Sequence, residues 1–441
     1  MVTPVTEAAA RAACLSLATE ALLLVAADGS NGDSLRRAIP LHSSPKDDRV
    51  KGLGPFEAAS REIARSPNVQ EMYGDPVPSD KLLLAFVYGF LARHSPSEFD
   101  ANLFEATWNT FWGELQESAW AYYGVGNVQN FDGDSALFEL ADGVSIRHRD
   151  FDELRRILNW GDSDLEFLTS DWMRGGASGY VILARQDVAK EPDNLVLGNG
   201  PEIDPRILRT LLALRLLKPG AVGVGQIFHV RPSFICPPAG MARSLRVSPM
   251  WRTGSRYSLS ASECPELIKL YAAVKAFGAI SGDIPNVSLA LRRFSTSFER
   301  EFSQAEDGIV DATIALEALL LRENDELAFR LAFRGSSILA TDDDQRVSLF
   351  GNIRDFYSLR SKIVHGTSLK PQDRALIQNG ELLQGIVRRL LRAFMIFAVA
   401  HPEFRKSSGQ HSFYAALDRT LMHPATRLEL RRSMGLESLP A

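Results

Sequence analysis

Residues 6–27 are rich in Ala and Leu and predict a helix that ends near Asp28-Gly29-Ser30-Asn31-Gly32. Residues 28–54 are polar and rich in Gly, Ser and Pro, the composition of a loop. Three helical stretches follow, near 55–66, 79–94 and 98–121. The last carries Phe104, Trp108, Phe111, Trp112 and Trp120, with Tyr122 just beyond, and at helical spacing such a set reads as core. From about residue 125 the texture changes to short alternating runs: Asn127–Phe131, Ala136–Leu140, Val144–Arg147, Tyr180–Arg185 and Val222–Val230. Gly and Asp punctuate them, which predicts a small sheet. Helices near 150–159 and 204–217 interrupt it, the second closed by Lys218-Pro219-Gly220. After Cys264-Pro265 the pattern is helical to the end, with helices predicted at 264–280, 286–304, 308–322, 325–340, 343–364, 373–400, 411–420 and 424–433. The pattern divides the chain into a helical region over 1–124, a small α+β domain over 125–262 and a helical bundle with C-terminal helices over 263–441. A length of 441 residues also suits two or three domains.

Composition changes this picture little. Apolar residues at 45% and charged residues at 23% are ordinary for a globular protein. The net charge of −5 argues against a globally basic nucleic-acid binder. The charge is uneven, however. Residues 285–441 hold 21 Lys and Arg against 19 Asp and Glu, and the remainder holds 28 against 35. Any RNA contact is therefore expected to be local and C-terminal. Cys14, Cys236 and Cys264 form neither a metal-ligand pattern nor a disulfide framework, which fits a reducing cytoplasm. No apolar run is expected to reach the length of a membrane span. The longest, Leu22–Ala27 and Ala393–Ala400, read as buried parts of helices. No secretory signal is read at the N-terminus.

The most suggestive chemistry lies in Tyr357-Ser358-Leu359-Arg360-Ser361-Lys362-Ile363-Val364-His365-Gly366. Arginine suits a phosphate and histidine moves protons near neutral pH. An Arg followed closely by a His is a loose pattern. Arg36 and Arg37 before His42 match it, and so does Arg405 before His411. Only Arg360 and His365 fall at the end of a long amphipathic helix, where side chains can be held rigidly. Five residues rotate about 140° along a helix, so the two side chains converge only if the helix ends or loosens before His365. Gly366 as a C-terminal cap would permit that. The competing interpretation is a capping His and an Arg in a structural ion pair with Glu317.

Three blocks carry a resemblance. Asp307-Gly308-Ile309-Val310-Asp311-Ala312-Thr313-Ile314-Ala315-Leu316-Glu317-Ala318-Leu319-Leu320 is similar to the first conserved helix of Apea-like HEPN domains. Glu326-Leu327-Ala328-Phe329-Arg330-Leu331-Ala332-Phe333-Arg334 resembles their next helix, and Phe350 to Gly366 resembles the signature helix with its terminal His-Gly. The resemblance covers about residues 285–400. It implies a C-terminal HEPN-type helical bundle, and together with the pattern above it predicts an α+β, mostly α chain in which a helical N-terminal region and a small mixed sheet region precede that bundle.

The resemblance further implies a cytoplasmic, metal-independent endoribonuclease that needs no cofactor, a toxin-like effector of abortive infection and phage defence. The bundle would form a homodimer whose two protomers bring Arg and His into one cleft. Arg360 would hold the scissile phosphate, His365 would act as general acid/base, and Ser361 would assist or hold a water. Glu317 would orient Arg360 or play a buried structural part. Lys362, Arg388 and Arg392 are further candidates to bind or orient RNA. Arg388, Arg389 and Arg392 form either an RNA-facing stripe or a solvated helix face. A regulatory protein or antitoxin is a possible partner, and no membrane is expected. The alternative function is a non-catalytic module that dimerises and binds a ligand or partner, and a regulatory scaffold without RNA contact is a third. Gly220-Ala-Val-Gly223-Val-Gly225 precedes a strand-like run and reads as a turn and strand entry rather than a phosphate loop. His148, His229, His401 and His423 have no acidic or Cys partner at metal-ligand spacing.

Overall fold

The apolar face of the first segment decides where it goes. The computed structural model describes residues 7–27, 45–74, 76–93, 99–150, 177–190, 203–230, 245–246, 255–300 and 304–436. Glu7–Ala27 is helix α1, and Ala10, Cys14, Leu17, Ala18, Ala21 and Val25 recur along one buried face. The chain continues through α2 (Pro45–Lys51), α3 (Phe56–Ala64), α4 (Pro67–Tyr73), α5 (Ser79–Arg93) and α6 (Ala101–Gln116). These helices share a core built around Phe86, Phe90, Phe104, Trp108 and Phe111, whose rings meet mostly edge-on or tilted, with Phe86 and Phe90 stacked. Two expectations change here. Residues 45–51, predicted as loop, are helical, and a proline suits the first position of that helix. Among the described residues α1 is long and apolar enough by composition to cross a membrane, against the expectation that no run reaches that length. Alanines supply the length, and its buried face is that of a core helix.

The change of texture near 125 corresponds to strands that begin earlier. β1 (Ala119–Gln129) takes in Trp120 and Tyr122, which the helical pattern had placed in or beside the preceding helix. That helix stops at Gln116, and Glu117 is already extended. The other strands are β2 (Phe131–Gly133), β3 (Leu137–Glu139), β4 (Val144–His148), β5 (Ala177–Ala189), β6 (Gly223–Val230), β7 (Leu245–Arg246) and β8 (Tyr257–Leu259). Six of them form one antiparallel sheet in the order β3-β4-β5-β1-β6-β7, and β2 pairs with β8 in parallel. The predicted helix near 150–159 lies outside the described residues.

Helix α7 (Ile203–Leu217) lies across β1, and glycine makes the approach possible. A Cβ on Gly124 would collide with the Ile203 side chain, and one on Gly126 would meet Ile207 at 3.0 Å. After α7, Gly220 adopts φ +130 and the chain enters β6, so Gly220 to Gly225 is a turn and strand entry as predicted.

The rest is helical: α8 (Cys264–Ile280), α9 (Pro285–Ser297), α10 (Ala305–Leu320), α11 (Leu327–Leu339), α12 (Asp343–Val364), α13 (Pro371–Gln378), α14 (Gly380–Ala400), α15 (Ser407–Met422) and α16 (Pro424–Ser433). They share one apolar core, with α14 contributing Leu383, Ile386, Val387, Leu390, Leu391, Phe394 and Phe397. The single helix predicted over 373–400 is two. The break falls at Asn379-Gly380, where a Cβ on Gly380 would press on Ile309 at 3.3 Å. The protein is thus α+β and mostly α, with a sheet region set between helical regions.

Candidate functional site

Helix α12 carries the Arg–His pair, and its ends are well determined. The Asp342 side chain accepts from the Gln345 N–H at 2.8 Å, and Asp343 and Asp344 place negative charge in the first turn. Leu349, Ile353, Phe356 and Leu359 seat one face in the core. At the far end the Thr367 N–H reaches the Lys362 carbonyl at 2.9 Å and the Gly366 N–H reaches Ile363 at 3.1 Å, with Gly366 at φ +65. This is a glycine-capped terminus of the Schellman type, at the residue where the sequence predicts a cap.

The cap does not loosen the helix before His365. The His365 N–H still donates to the Ser361 carbonyl at 3.1 Å, so the last turn is intact. With about 140° between them, Arg360 and His365 leave α12 in different directions. His365 is exposed, while Ser361 is half-buried.

Arg360 faces α10. Its Nη2 lies 3.7 Å from Glu317 Oε2, too far for a hydrogen bond, and its Nε is buried without a partner. Burial pushes the Glu317 carboxyl above its ordinary value, with the Arg360 charge pulling the other way. Tyr357, one turn earlier on α12, has its phenol raised by burial and then by Glu317, with Arg360 again opposing. Arg360, Glu317 and Tyr357 therefore make a half-buried polar cluster with one unsatisfied donor. Tyr357 was not singled out from sequence, although its spacing of three from Arg360 places both on one helix face.

The remaining candidates are structurally engaged. Lys362 Nζ sits 2.7 Å from Asp373 Oδ1, and Asp373 Oδ2 accepts the Lys370 N–H at 2.9 Å. The Lys362 hydrogen bond, then the Lys370 N–H, hold the Asp373 carboxyl below its ordinary value. Lys362 thus ties the end of α12 to the start of α13 rather than standing free for RNA. Arg388, Arg389 and Arg392 form neither an RNA-facing stripe nor a solvated face. Arg388 and Arg392 are 5% and 8% exposed, because α14 is covered by neighbours on several sides. Arg388 Nε donates to the Arg215 carbonyl at 2.6 Å, Arg389 to the Leu339 carbonyl at 3.0 Å, and Arg392 to Glu266 at 2.6 Å.

A cavity of about 810 Å³ opens beside the α12 terminus, lined by Ile363, Gly366 and Thr367 and by Arg300 and Arg374. Neither Arg360 nor His365 lines it. Of the other Arg–His matches, Arg37 and His42 lie outside the described residues, and Arg405 caps α14 through the Ala398 and Val399 carbonyls. Two histidines have acidic neighbours that spacing did not reveal: His229 lies 2.6 Å from Asp204 and His401 lies 2.9 Å from Glu403. Among the described residues no three His, Cys, Asp or Glu side chains converge as a metal site would need. Comparison of the chain with family models, with curated proteins and with solved structures finds no match in any of the three.

Proposed function

We propose that the C-terminal helices form a HEPN-type bundle and that the protein is an endoribonuclease whose site is completed by a second copy of the chain. The observation that carries the reading is the single, tightly wound helix bearing both residues. Arg360 and His365 point apart from α12, so a cleft with one Arg and one His needs two protomers. The mildly basic C-terminal region and the exposure of His365 agree with RNA as substrate.

In this reading His365 takes the proton of the 2′-hydroxyl or gives one to the leaving 5′-oxygen. The 2′-oxygen forms its bond to phosphorus as the 5′-oxygen leaves, giving a 2′,3′-cyclic phosphate and a 5′-hydroxyl. Arg360 stabilises the charge that builds on the phosphoryl oxygens. Glu317, raised by burial, orients Arg360 without neutralising it through a tight hydrogen bond. Dimerisation, a regulatory protein partner and a place in phage defence belong to the same proposal.

The test is incubation of purified protein with total RNA, with and without EDTA. Cleavage that survives EDTA and is lost in His365→Ala supports the reading. Intact RNA under every trigger condition, or equal cleavage by the variant, removes it. Light scattering is expected to show a dimer under cleaving conditions, and an active monomer refutes the composite cleft.

A second reading, a non-catalytic ligand-binding module, is favoured by one observation: the cationic candidates Lys362, Arg388 and Arg392 all serve internal contacts.

A further inference from the structure

A second cavity, of about 510 Å³, lies between the turn that follows α7 and the first half of α14. Its volume is in the range of small-molecule sites. Four cations line it: Lys218, Arg388, Arg389 and Arg392. Two have carboxylate partners, Lys218 with Glu263 at 2.6 Å and Arg392 with Glu266 at 2.6 Å. The carboxylate that also lines the cavity, Glu381, accepts from the Ser255 N–H and hydroxyl, both at 2.8 Å. Among the described residues no carboxylate forms an ion pair with Arg388 or Arg389. Their hydrogen bonds go to main-chain carbonyls, of Arg215 and Leu339.

The arrangement is costly in isolation. Arg388 is 5% exposed, and burial draws its guanidinium down to about 10. The Nε atoms of Arg389 and Arg392 are buried with no partner. Unpaired buried charge and unmet buried donors each destabilise a fold unless another group supplies the countercharge. The rest of the wall is mainly apolar, with Pro219, Leu349, Leu382 and Ile386 beside the polar Asn379. Gly385 keeps the space open. Within 4 Å of the position a Cβ would take there, only Arg388 Nη1 is found, at 3.8 Å.

We propose that this cavity binds a phosphorylated small molecule of nucleotide size, its phosphate on Arg388 and Arg389 and its flat apolar part on the Leu382 and Ile386 wall. Guanidinium groups match phosphate oxygens in geometry as well as charge. The site joins two parts of the molecule, since Arg388 reaches the main chain of α7 and Arg392 reaches α8. A ligand here would therefore bear on how the sheet region seats on the bundle. This inference stands apart from the ribonuclease proposal, and neither fails with the other.

Titration calorimetry on the full chain with AMP, ADP and adenosine tests it. Saturable binding of AMP or ADP is expected, with adenosine weaker by about tenfold or more, a difference of about 1.4 kcal/mol. Arg388 also holds the seam, so the diagnostic variants are Arg389→Gln and Gly385→Leu. The first removes a charge and the second fills the space while keeping every cation. Both are expected to weaken AMP and ADP binding by about tenfold or more with an unchanged circular dichroism spectrum. Absence of nucleotide binding, equal binding of adenosine, or unchanged affinity in both variants would overturn the proposal.

Discussion

Arg334 on α11 and Arg360 on α12 sit on packed neighbours in one helical bundle and are held in opposite ways. Arg334 is fully buried, and all five of its N–H groups are used. They go to Asp418 at 2.6 and 2.9 Å, to Glu323 at 2.9 Å twice, and to the Leu320 carbonyl at 2.6 Å. Arg360 keeps about a quarter of its side chain exposed, stands 3.7 Å from its one carboxylate and leaves Nε unmet. A buried arginine with every donor satisfied is committed to the fold. An arginine that keeps about a quarter of its side chain exposed, without a close ion pair, retains capacity for something that is not part of the chain.

The largest expected effect is at the committed end. Arg334→Ala strands Glu323 and Asp418 beside a new hole and is expected to cost about 3–5 kcal/mol, read by urea unfolding. Arg360→Ala should separate the two ends most clearly. On the ribonuclease proposal it lowers cleavage by about 10²–10³-fold, as loss of a transition-state cation does. Its stability cost is expected to stay under about 1 kcal/mol, because the pair is long and partly exposed. A thermal shift as large as that of Arg334→Ala would place Arg360 among the structural cations instead.

The acidic partners should differ in sign with pH. Hydrogen bonding from Arg334, opposed by burial, holds Glu323 down at about 2 against an ordinary 4.5. Its contribution is complete above about 4.5 and disappears as pH falls from there towards 2. Glu317 is raised, so its ionised form opposes folding and protonation relieves that. Urea titrations across this range should show Glu323→Gln with a flatter acid loss than the parent. Glu317→Gln should be at least as stable as the parent at neutral pH, and a clear loss there would mean that its charge supports the fold. A modest effect is expected at the cap. Gly366→Ala forces a side chain into φ +65 and should cost about 1 kcal/mol, visible in the melting temperature.

Periodicity made most of the helical half readable. The edges of Cys264–Ile280, Asp343–Val364 and Pro424–Ser433 follow from local signals such as Pro265, Asp342, Gly366 and Pro424, each acting on its own turn of helix. Breaks with distant causes were not readable. At the Asn379-Gly380 division the chain packs closely on Ile309, seventy-one residues earlier, where a Cβ on Gly380 would approach it at 3.3 Å. The strand start at Ala119 depends on pairing with β5, whose Ala189 lies opposite. The candidate site follows the same rule. Gly366 was identifiable as a cap because a cap is local. Arg388 and Arg392 were misassigned because spacing reveals which residues share a face but not what lies on it. That covering comes from α7 and α8, through Arg215 and Glu266.

The glycines of β1 have a mechanical consequence. Where most helices rest on a sheet through a cushion of side chains, α7 rides on bare main chain at Gly124 and Gly126. The strand offers no side chain as a spacer there, so Ile203 and Ile207 of α7 seat directly on its main chain. The helix is about 22 Å long at 1.5 Å per residue. Near its far end Arg215 offers the carbonyl that Arg388 grips. The sheet and the bundle are thus linked through one helix that is seated on two glycines of β1 and held near its other end by Arg388.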